Sequence, residues 1–224
     1  KKGGEIKDIP IQTNAYFGPS YTKNDIKLEL NKINMDNFNV KEVEVQEVAE
    51  LIANGQVVAR FSGDPMEFGA RALGNRSILA DPRNQETINY INKLVKMRDF
   101  WMPFAPSILK ERQDDYIINP KKIDTKYMAI GFDSTVKARE HLSAGLHPFD
   151  KTMRPQVVTI EDNDSYHSLI KAFEKITGVG ALLNTSFNIH GEPIVGSPFD
   201  AIDTLSRCGL KHLYIGDFLV SKKN

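Results

Sequence analysis

The sequence predicts an α/β fold built on a mixed sheet. Three observations carry this. Short apolar runs of strand length recur along the chain, among them 57–61, 77–80 and 179–183. Between several of them lie segments with apolar residues at helical spacing, closed by helix stop signals. Strand and helix alternate as in an α/β sheet, and several strands follow one another with no helix between, which makes the sheet mixed.

The elements follow in order. Residues 1–40 lack a steady period and are rich in turn formers, including Gly18-Pro19 and Asn31, Asn34, Asn37 and Asn39. They read as a connecting arm with one short helix over 24–33, and residues 41–224 as the domain proper. The chain opens Lys1-Lys2-Gly3-Gly4 with no initiating Met, so it reads as part of a longer protein. Val48, Leu51 and Ile52 sit at helical spacing, and Gly55 supplies a stop. A strand over 57–61 leads into a turn-rich loop from Ser62 to Arg76. A second strand covers 77–80 and ends at Asp81-Pro82; a helix over 85–95 follows. Further strands are expected at 105–109, 127–132 and 156–160. Asp162 or Asp164 caps a helix running to Ile176, with Gly178 behind it. A buried strand ends at Leu183. Ser197-Pro198 starts a helix to Arg207, and two short strands around Gly216-Asp217 close the chain as a hairpin.

Composition narrows the function. The 224 residues carry 29 Lys and Arg against 29 Asp and Glu, a net charge of zero. That balance argues against a generic nucleic-acid or anionic-membrane binder, though not against a local basic pocket. A lone cysteine, Cys208, excludes an internal disulfide framework and fits a reducing, cytoplasmic setting. No apolar run approaches the roughly 20 residues that span a bilayer, and no signal-peptide pattern is present.

Four segments can carry chemistry. The first is the loop from Gly63 to Ser77, with three glycines and two arginines, Arg71 and Arg76, five apart. Glycines let backbone approach a ligand, and guanidinium forks suit phosphate or carboxylate. The spacing matches neither the Walker loop nor GxGxxG. A loop of this length inside a domain is usually functional; the plainer reading is a surface loop with solvated arginines. The second is Lys96-Met97-Arg98 followed by Trp101, Phe104 and two prolines, where paired cations beside aromatics suit a nucleotide, or else snorkel over core aromatics. Arg154, just before a strand, is the third. The fourth is Asn184-Thr185-Ser186-Phe187-Asn188, where a buried strand turns abruptly polar, in the place where α/β sheets bind ligands. If the four converge, Arg71, Arg76, Lys96, Arg98 and Arg154 form a positive hollow in a neutral chain, as a polyphosphate site requires. Metal spacing is absent: His141 and His147 are six apart and match no familiar ligand pattern.

These segments resemble the O-carbamoyltransferases of the NodU/CmcH/TobZ family. The likeness lies in Glu67-Phe68-Gly69-Ala70-Arg71-Ala72-Leu73-Gly74-Asn75-Arg76-Ser77, continuing to Arg83; in Trp101-Met102-Pro103-Phe104-Ala105-Pro106-Ser107; in Met153-Arg154-Pro155-Gln156; and in Leu183 to Asn188. It covers residues 45–220 and corresponds to the carboxy-terminal part of those enzymes. Two departures are Ala70, where the family usually has Pro, and Asp99-Phe100, where it more often has an acidic-then-basic pair.

The resemblance implies a YrdC-like twisted mixed sheet with flanking helices. Lys96-Met97-Arg98 and Ser186-Phe187-Asn188 have the form of that fold's Lys-x-Arg and Ser-x-Asn motifs. It implies a domain that binds ATP, accompanied by Mg²⁺, and carbamoyl phosphate, and makes carbamoyl-adenylate. An amino-terminal domain of the same polypeptide would pass the carbamoyl group to an acceptor hydroxyl. That partner domain, not this one, would hold the protein-bound metal. On this reading Lys96, Arg98, Ser186 and Asn188 are catalytic. Arg71, Arg76, Ser77, Ser107, Arg154 and Asn184 bind substrate or nucleotide. Two other readings stay open: a non-catalytic RNA- or nucleotide-binding module of the same fold, and a scaffold whose basic loop docks the partner domain.

Overall fold

The structure, a computed structural model, describes residues 13–96 and 104–223. In chain order it forms α1 (Lys23–Leu30), β1 (Phe38–Glu42), α2 (Val45–Ala53), β2 (Val58–Phe61) and β3 (Arg76–Ala80). Then come α3 (Glu86–Ile91), continued as one π turn over Asn92–Lys96, β4 (Ala105–Leu109), α4 (Gln113–Tyr116), β5 (Ile117–Ile118), β6 (Asp133–Ser134) and α5 (Val136–His141). The chain ends with β7 (Gln156–Val158), α6 (Ile160–Thr177), β8 (Ala181–Ser186), α7 (Pro198–Arg207), β9 (His212–Ile215) and β10 (Phe218–Lys222).

One sheet organises the domain, in the strand order β1-β10-β9-β2-β3-β8-β4-β7, with β5 and β6 pairing apart. It is mixed: β2 runs parallel to β9 and β4 to β7, and the other neighbours are antiparallel. Both faces of the central strands are buried, because side chains alternate across a strand and each face meets helices. Val58, Leu79 and Leu182 pack with Val48 and Ile52 of α2 and with Tyr166, Leu169, Ile170 and Phe173 of α6. Ala59, Phe61, Ile78, Ala80 and Leu183 pack on the other side with Ile26 and Leu30 of α1 and with Ala201 and Leu205 of α7. Each fully buried Val, Leu, Ile or Phe among them contributes roughly 1.5–3 kcal/mol.

The cap of α6 lies earlier than expected: Thr159, not Asp162 or Asp164, accepts from the Asp162 N–H, while Gly178 ends the helix at φ +75° as its sequence signal implies. Ser197 and Asp200 form a capping box on α7, with Pro198 in its first turn.

Two other expectations change. The boundary at residue 40 falls inside β1, which pairs with β10 along its length; α1 buries Ile26 and Leu30. The described part of the supposed arm is thus built into the domain. Residues 127–132 do not form a strand: Met128 takes φ +52°, Ile130 is exposed, and only Phe132 makes a bridge, to Met153. Among the described residues no helix is long and apolar enough to cross a membrane.

Candidate functional site

The long loop before β3 is wound around one carboxylate. Glu67 is buried, and its Oε1 accepts the backbone N–H groups of Leu73 (2.7 Å), Asn75 (2.7 Å) and Arg76 (3.2 Å). Three charge-assisted bonds to one oxygen fix the turn that carries Arg71. Gly74 completes it at φ +114°, where a Cβ would stand 2.3 Å from the Tyr166 ring, so this position takes glycine on both counts. The Gly74 N–H donates to Ser77 Oγ (3.1 Å) and the Asn75 side chain to Pro65 O (2.8 Å).

Within this loop Arg76 turns away from solvent. It is fully buried; Nη1 donates to Ser62 O (2.6 Å) and Asn75 O (3.0 Å), and Nη2 reaches Pro19 O (3.3 Å). Its guanidinium lies 3.8 Å from the Phe61 ring centroid. Burial pulls its pKa down to about 10, with Glu67 opposing that shift and Arg60 adding to it. The expected role of Arg76 as an anion ligand is therefore corrected: its donors hold backbone carbonyls together. Arg60 works in the same way, donating to Gly74 O (2.6 Å), Asn75 Oδ1 (3.1 Å) and Ser165 Oγ (2.9 Å). Asp64 closes this region. Burial raises its pKa, but hydrogen bonds from Ser62 and Ser165 and the charges of Arg60 and Arg76 outweigh that and hold it low.

On the other side of the same loop a cleft of about 590 Å³ opens. Arg71, Arg154, Asn184, Thr185, Ser186, Thr152 and His147 give it a polar wall, and Phe104, Met128 and Met153 an apolar one. Arg71 and Arg154 are exposed. Among the described residues neither guanidinium has a hydrogen-bond or ion-pair partner. The described lining contains no carboxylate. Two unpaired cations in a concave wall raise the local concentration of anions.

The floor is set by the tip of β8. Asn184 Nδ2 lies within hydrogen-bonding distance of Ser107 Oγ (3.0 Å), Gln156 Oε1 (3.2 Å) and Ala72 O (3.2 Å). Ser107 Oγ donates to Gln156 Oε1 (2.7 Å), and Gln156 Nε2 to Leu73 O (2.8 Å). This network ties β8, β4 and β7 to the loop that bears Arg71. Beside it Lys96, itself buried, places Nζ 3.0 Å from Ser186 Oγ and 2.6 Å from Asn188 Oδ1; Ser186 Oγ donates to Asn188 Oδ1 at 2.7 Å.

The structure thus joins Arg71, Arg154, Asn184 and Ser186 in one cleft and attaches Lys96 and Asn188 through Ser186. Ser77 and Ser107 do not reach it: both are fully buried, Ser77 serving the Gly74 turn and Ser107 holding Asn184. Arg98 and Trp101 lie outside the described residues. Glu67, Gln156 and His147 are the contributors that sequence reasoning left without a role. Glu67 and Gln156 stand inside quoted motifs, so the signal was at hand, but nothing local says that a carboxylate will bind its own loop. Among the described residues no group of three or more His, Cys, Asp or Glu side chains is placed to hold a metal ion.

Known proteins share this sequence and fold. Residues 49–222 match the family model described as Carbamoyltransferase C-terminus. The chain is 42% identical over 97% of its length to the uncharacterized protein MJ1058 of Methanocaldococcus jannaschii, covering 35% of that protein. It is 43% identical over 78% of its length to Nodulation protein NolNO of Sinorhizobium fredii, covering 26% of it. The chain spans roughly a third of the length of these curated relatives. Among solved structures it resembles P. abyssi Sua5 complexed with L-threonine (TM-score 0.52, 13% identity, 77% of this chain and 46% of that one). It also resembles a full-length HypF in its phosphate- and nucleotide-bound form (TM-score 0.50, 13% identity, 83% of this chain and 22% of that one). The fold is YrdC/Sua5-like, and this chain belongs to the carbamoyltransferase C-terminus family.

Proposed function

We propose that this domain binds ATP and carbamoyl phosphate in the cleft at the tip of β8 and makes carbamoyl-adenylate. One observation carries the reading: a nucleotide-sized hollow whose wall, among the described residues, holds two guanidinium groups without protein partners and no carboxylate. The HypF of similar fold was solved with phosphate and nucleotide bound, which supports the same ligand class here.

The chemistry is one of positioning and charge. Carbamoyl phosphate takes up water and gives phosphate and carbamate. A carbamate oxygen then attacks the α-phosphorus of ATP; the bond from that phosphorus to the bridging oxygen breaks, and pyrophosphate leaves with the electron pair. Both reactants are anions, so the barrier falls when fixed cations neutralise their repulsion. Arg71 and Lys96 serve that end, together with Arg98 of the Lys-x-Arg pattern. Arg154 orients the carbamoyl group, and Asn184, Ser186 and Asn188 hydrogen-bond its oxygens or those of phosphate. Carbamate is already a nucleophile, so no side-chain base is needed. With no carboxylate in the described lining, Mg²⁺ travels with ATP as part of the substrate, held through phosphate oxygens. A separate, amino-terminal part of the full-length cytoplasmic protein carries the carbamoyl group to its acceptor.

Exchange of labelled pyrophosphate into ATP, dependent on carbamoyl phosphate, tests the reading. Arg71→Ala, Arg98→Ala and Ser186→Ala abolish the exchange while the folded far-UV spectrum persists. Exchange at wild-type rate in all three removes these residues from the chemistry.

A further inference from the structure

The cleft wall holds one titratable group that the mechanism above leaves idle. His147 is half-buried and lines the hollow together with Arg71 and Arg154. Its Nδ1 stands 3.1 Å from Asp150 Oδ1. Nε2 has no hydrogen-bond partner among the described residues.

The turn that presents it is tightly bonded. The His147 N–H donates to Thr152 O (2.8 Å) and the Lys151 N–H to His147 O (3.1 Å). Asp150 Oδ1 accepts both the N–H (2.9 Å) and the hydroxyl (2.8 Å) of Thr152. These bonds lower the Asp150 carboxylate's pKa, with the His147 interaction a lesser contributor. The Asp150 carboxylate beside Nδ1 stabilises the imidazolium, and the Asp150 backbone N–H, 3.4 Å away, is placed to donate to Nδ1 of the neutral ring; in either form Nε2–H is left for a ligand.

We infer that His147, oriented by Asp150, is a ligand-contacting residue of the cleft that donates from Nε2 to a phosphate oxygen of the bound nucleotide or pyrophosphate. Asp150 is its positioning residue. The inference rests on the adenylation reading for the identity of the ligand. Among the described residues, the charged side chains that line the cleft with His147 are Arg71 from the loop before β3 and Arg154 from the segment before β7, and Asp150 is on its own turn. Arginine as a residue type stays cationic across pH 5.5–8, whereas histidine is the residue type that responds to pH in that range, so comparing the two pH values separates the one kind of contact from the other.

Calorimetric titration of this chain with inorganic pyrophosphate and with ATP, at pH 5.5 and 8.0, tests this. His147→Gln keeps a donor but removes the charge; Asp150→Asn keeps the acceptor for Thr152 but removes the orienting carboxylate. At pH 5.5 both variants bind about tenfold more weakly than wild type, the size of one hydrogen bond between charged groups. At pH 8.0 the gap for His147→Gln shrinks to about twofold, since neutral imidazole and amide donate alike. Comparing each variant with wild type at the same pH cancels the titration of the ligand itself. Arg71→Ala weakens binding equally at both pH values and serves as the control. A wild-type to His147→Gln ratio that stays the same at the two pH values overturns the proposal, as does failure of wild type to bind either anion. Binding with the expected ratios but without carbamoyl-phosphate-dependent exchange keeps the contact and overturns the adenylation reading alone.

Discussion

Arg71 and Arg76 stand five residues apart in one loop, and the fold uses them in opposite ways. Arg76 spends its donors on backbone carbonyls beneath the Phe61 ring, while Arg71 projects into the cleft without a partner among the described residues. The same guanidinium is in one place a rivet and in the other a receptor. What separates them is the strand: Arg76 opens β3, whose alternation puts it on the face of Ile78 and Ala80, toward the core. Arg71 precedes the strand and escapes that constraint. A cation buried among backbone carbonyls is out of a ligand's reach, whereas an unpaired cation in a hollow stores the repulsion that an anion relieves.

The contrast breaks first, and most strongly, at Arg76. Arg76→Ala strips the carbonyl of Ser62 of its donor, takes one of two donors from the carbonyls of Asn75 and Pro19, which still accept the Ser62 and Met66 N–H groups, and opens a void under Phe61. The expected cost is about 4 kcal/mol, read as a lower denaturant midpoint. A shift under about 1 kcal/mol would show that those carbonyls find other donors and that the rivet is dispensable.

Glu67 lies between the two behaviours and sharpens the comparison. Glu67→Gln keeps the Oε1 acceptor for the three N–H groups but removes the charge that opposes the burial effect on Arg76. A loss of about 2 kcal/mol is expected, together with weaker pyrophosphate binding, because the turn that aims Arg71 loosens. Stability lost with binding intact would separate the loop's anchor from its cargo.

Arg71→Ala gives the mirror image of Arg76→Ala. Stability changes by no more than about 0.5 kcal/mol, as for other exposed substitutions, while pyrophosphate affinity falls at least about tenfold. The two variants measured side by side must cross: one unfolds more easily, the other binds more weakly. If both lose stability alike, the division of labour in the loop is wrong.

These positions also mark where the sequence was legible. The strands at 58–61 and 76–80 and the helix after Ser197-Pro198 were read closely, because apolar runs and caps are local signals; β8 was read only to Leu183, whereas pairing with β3 carries it on through Asn184 and Thr185 to Ser186. β1 was missed because it is an edge strand with only Phe38 buried, set by pairing with β10 far along the chain. Residues 127–132 misled for the converse reason: apolar character without the alternation a strand needs, and Met128 at positive φ. In the site, Arg71, Arg154, Asn184 and Ser186 came together as expected from residue type. Arg76 and Ser77 did not, although their place at the head of a strand buried on both faces carried the warning.

The smallest effect concerns pH, and the cleft cannot be read without it. His212 on β9 is buried, with Nδ1 2.8 Å from Ser221 Oγ of the neighbouring β10. Burial, then the charge of Lys211, lowers its pKa. A base with a depressed folded pKa is neutral in the native state and takes its proton on unfolding. Its contribution to stability is therefore intact above the ordinary histidine range, near pH 6.5, and is lost as pH falls below it. The slope for one such group stays below about 1.4 kcal/mol per pH unit. His212→Gln, which can still bond Ser221, flattens that part of the stability profile between pH 5 and 7 while leaving the pH dependence of pyrophosphate binding unchanged. His147→Gln does the reverse, flattening binding and sparing stability, because its ring sits on an exposed turn rather than between strands. A single variant that moved both profiles would mean that the pH response of the cleft is a response of the fold, and the separation of rivet from receptor would fail with it.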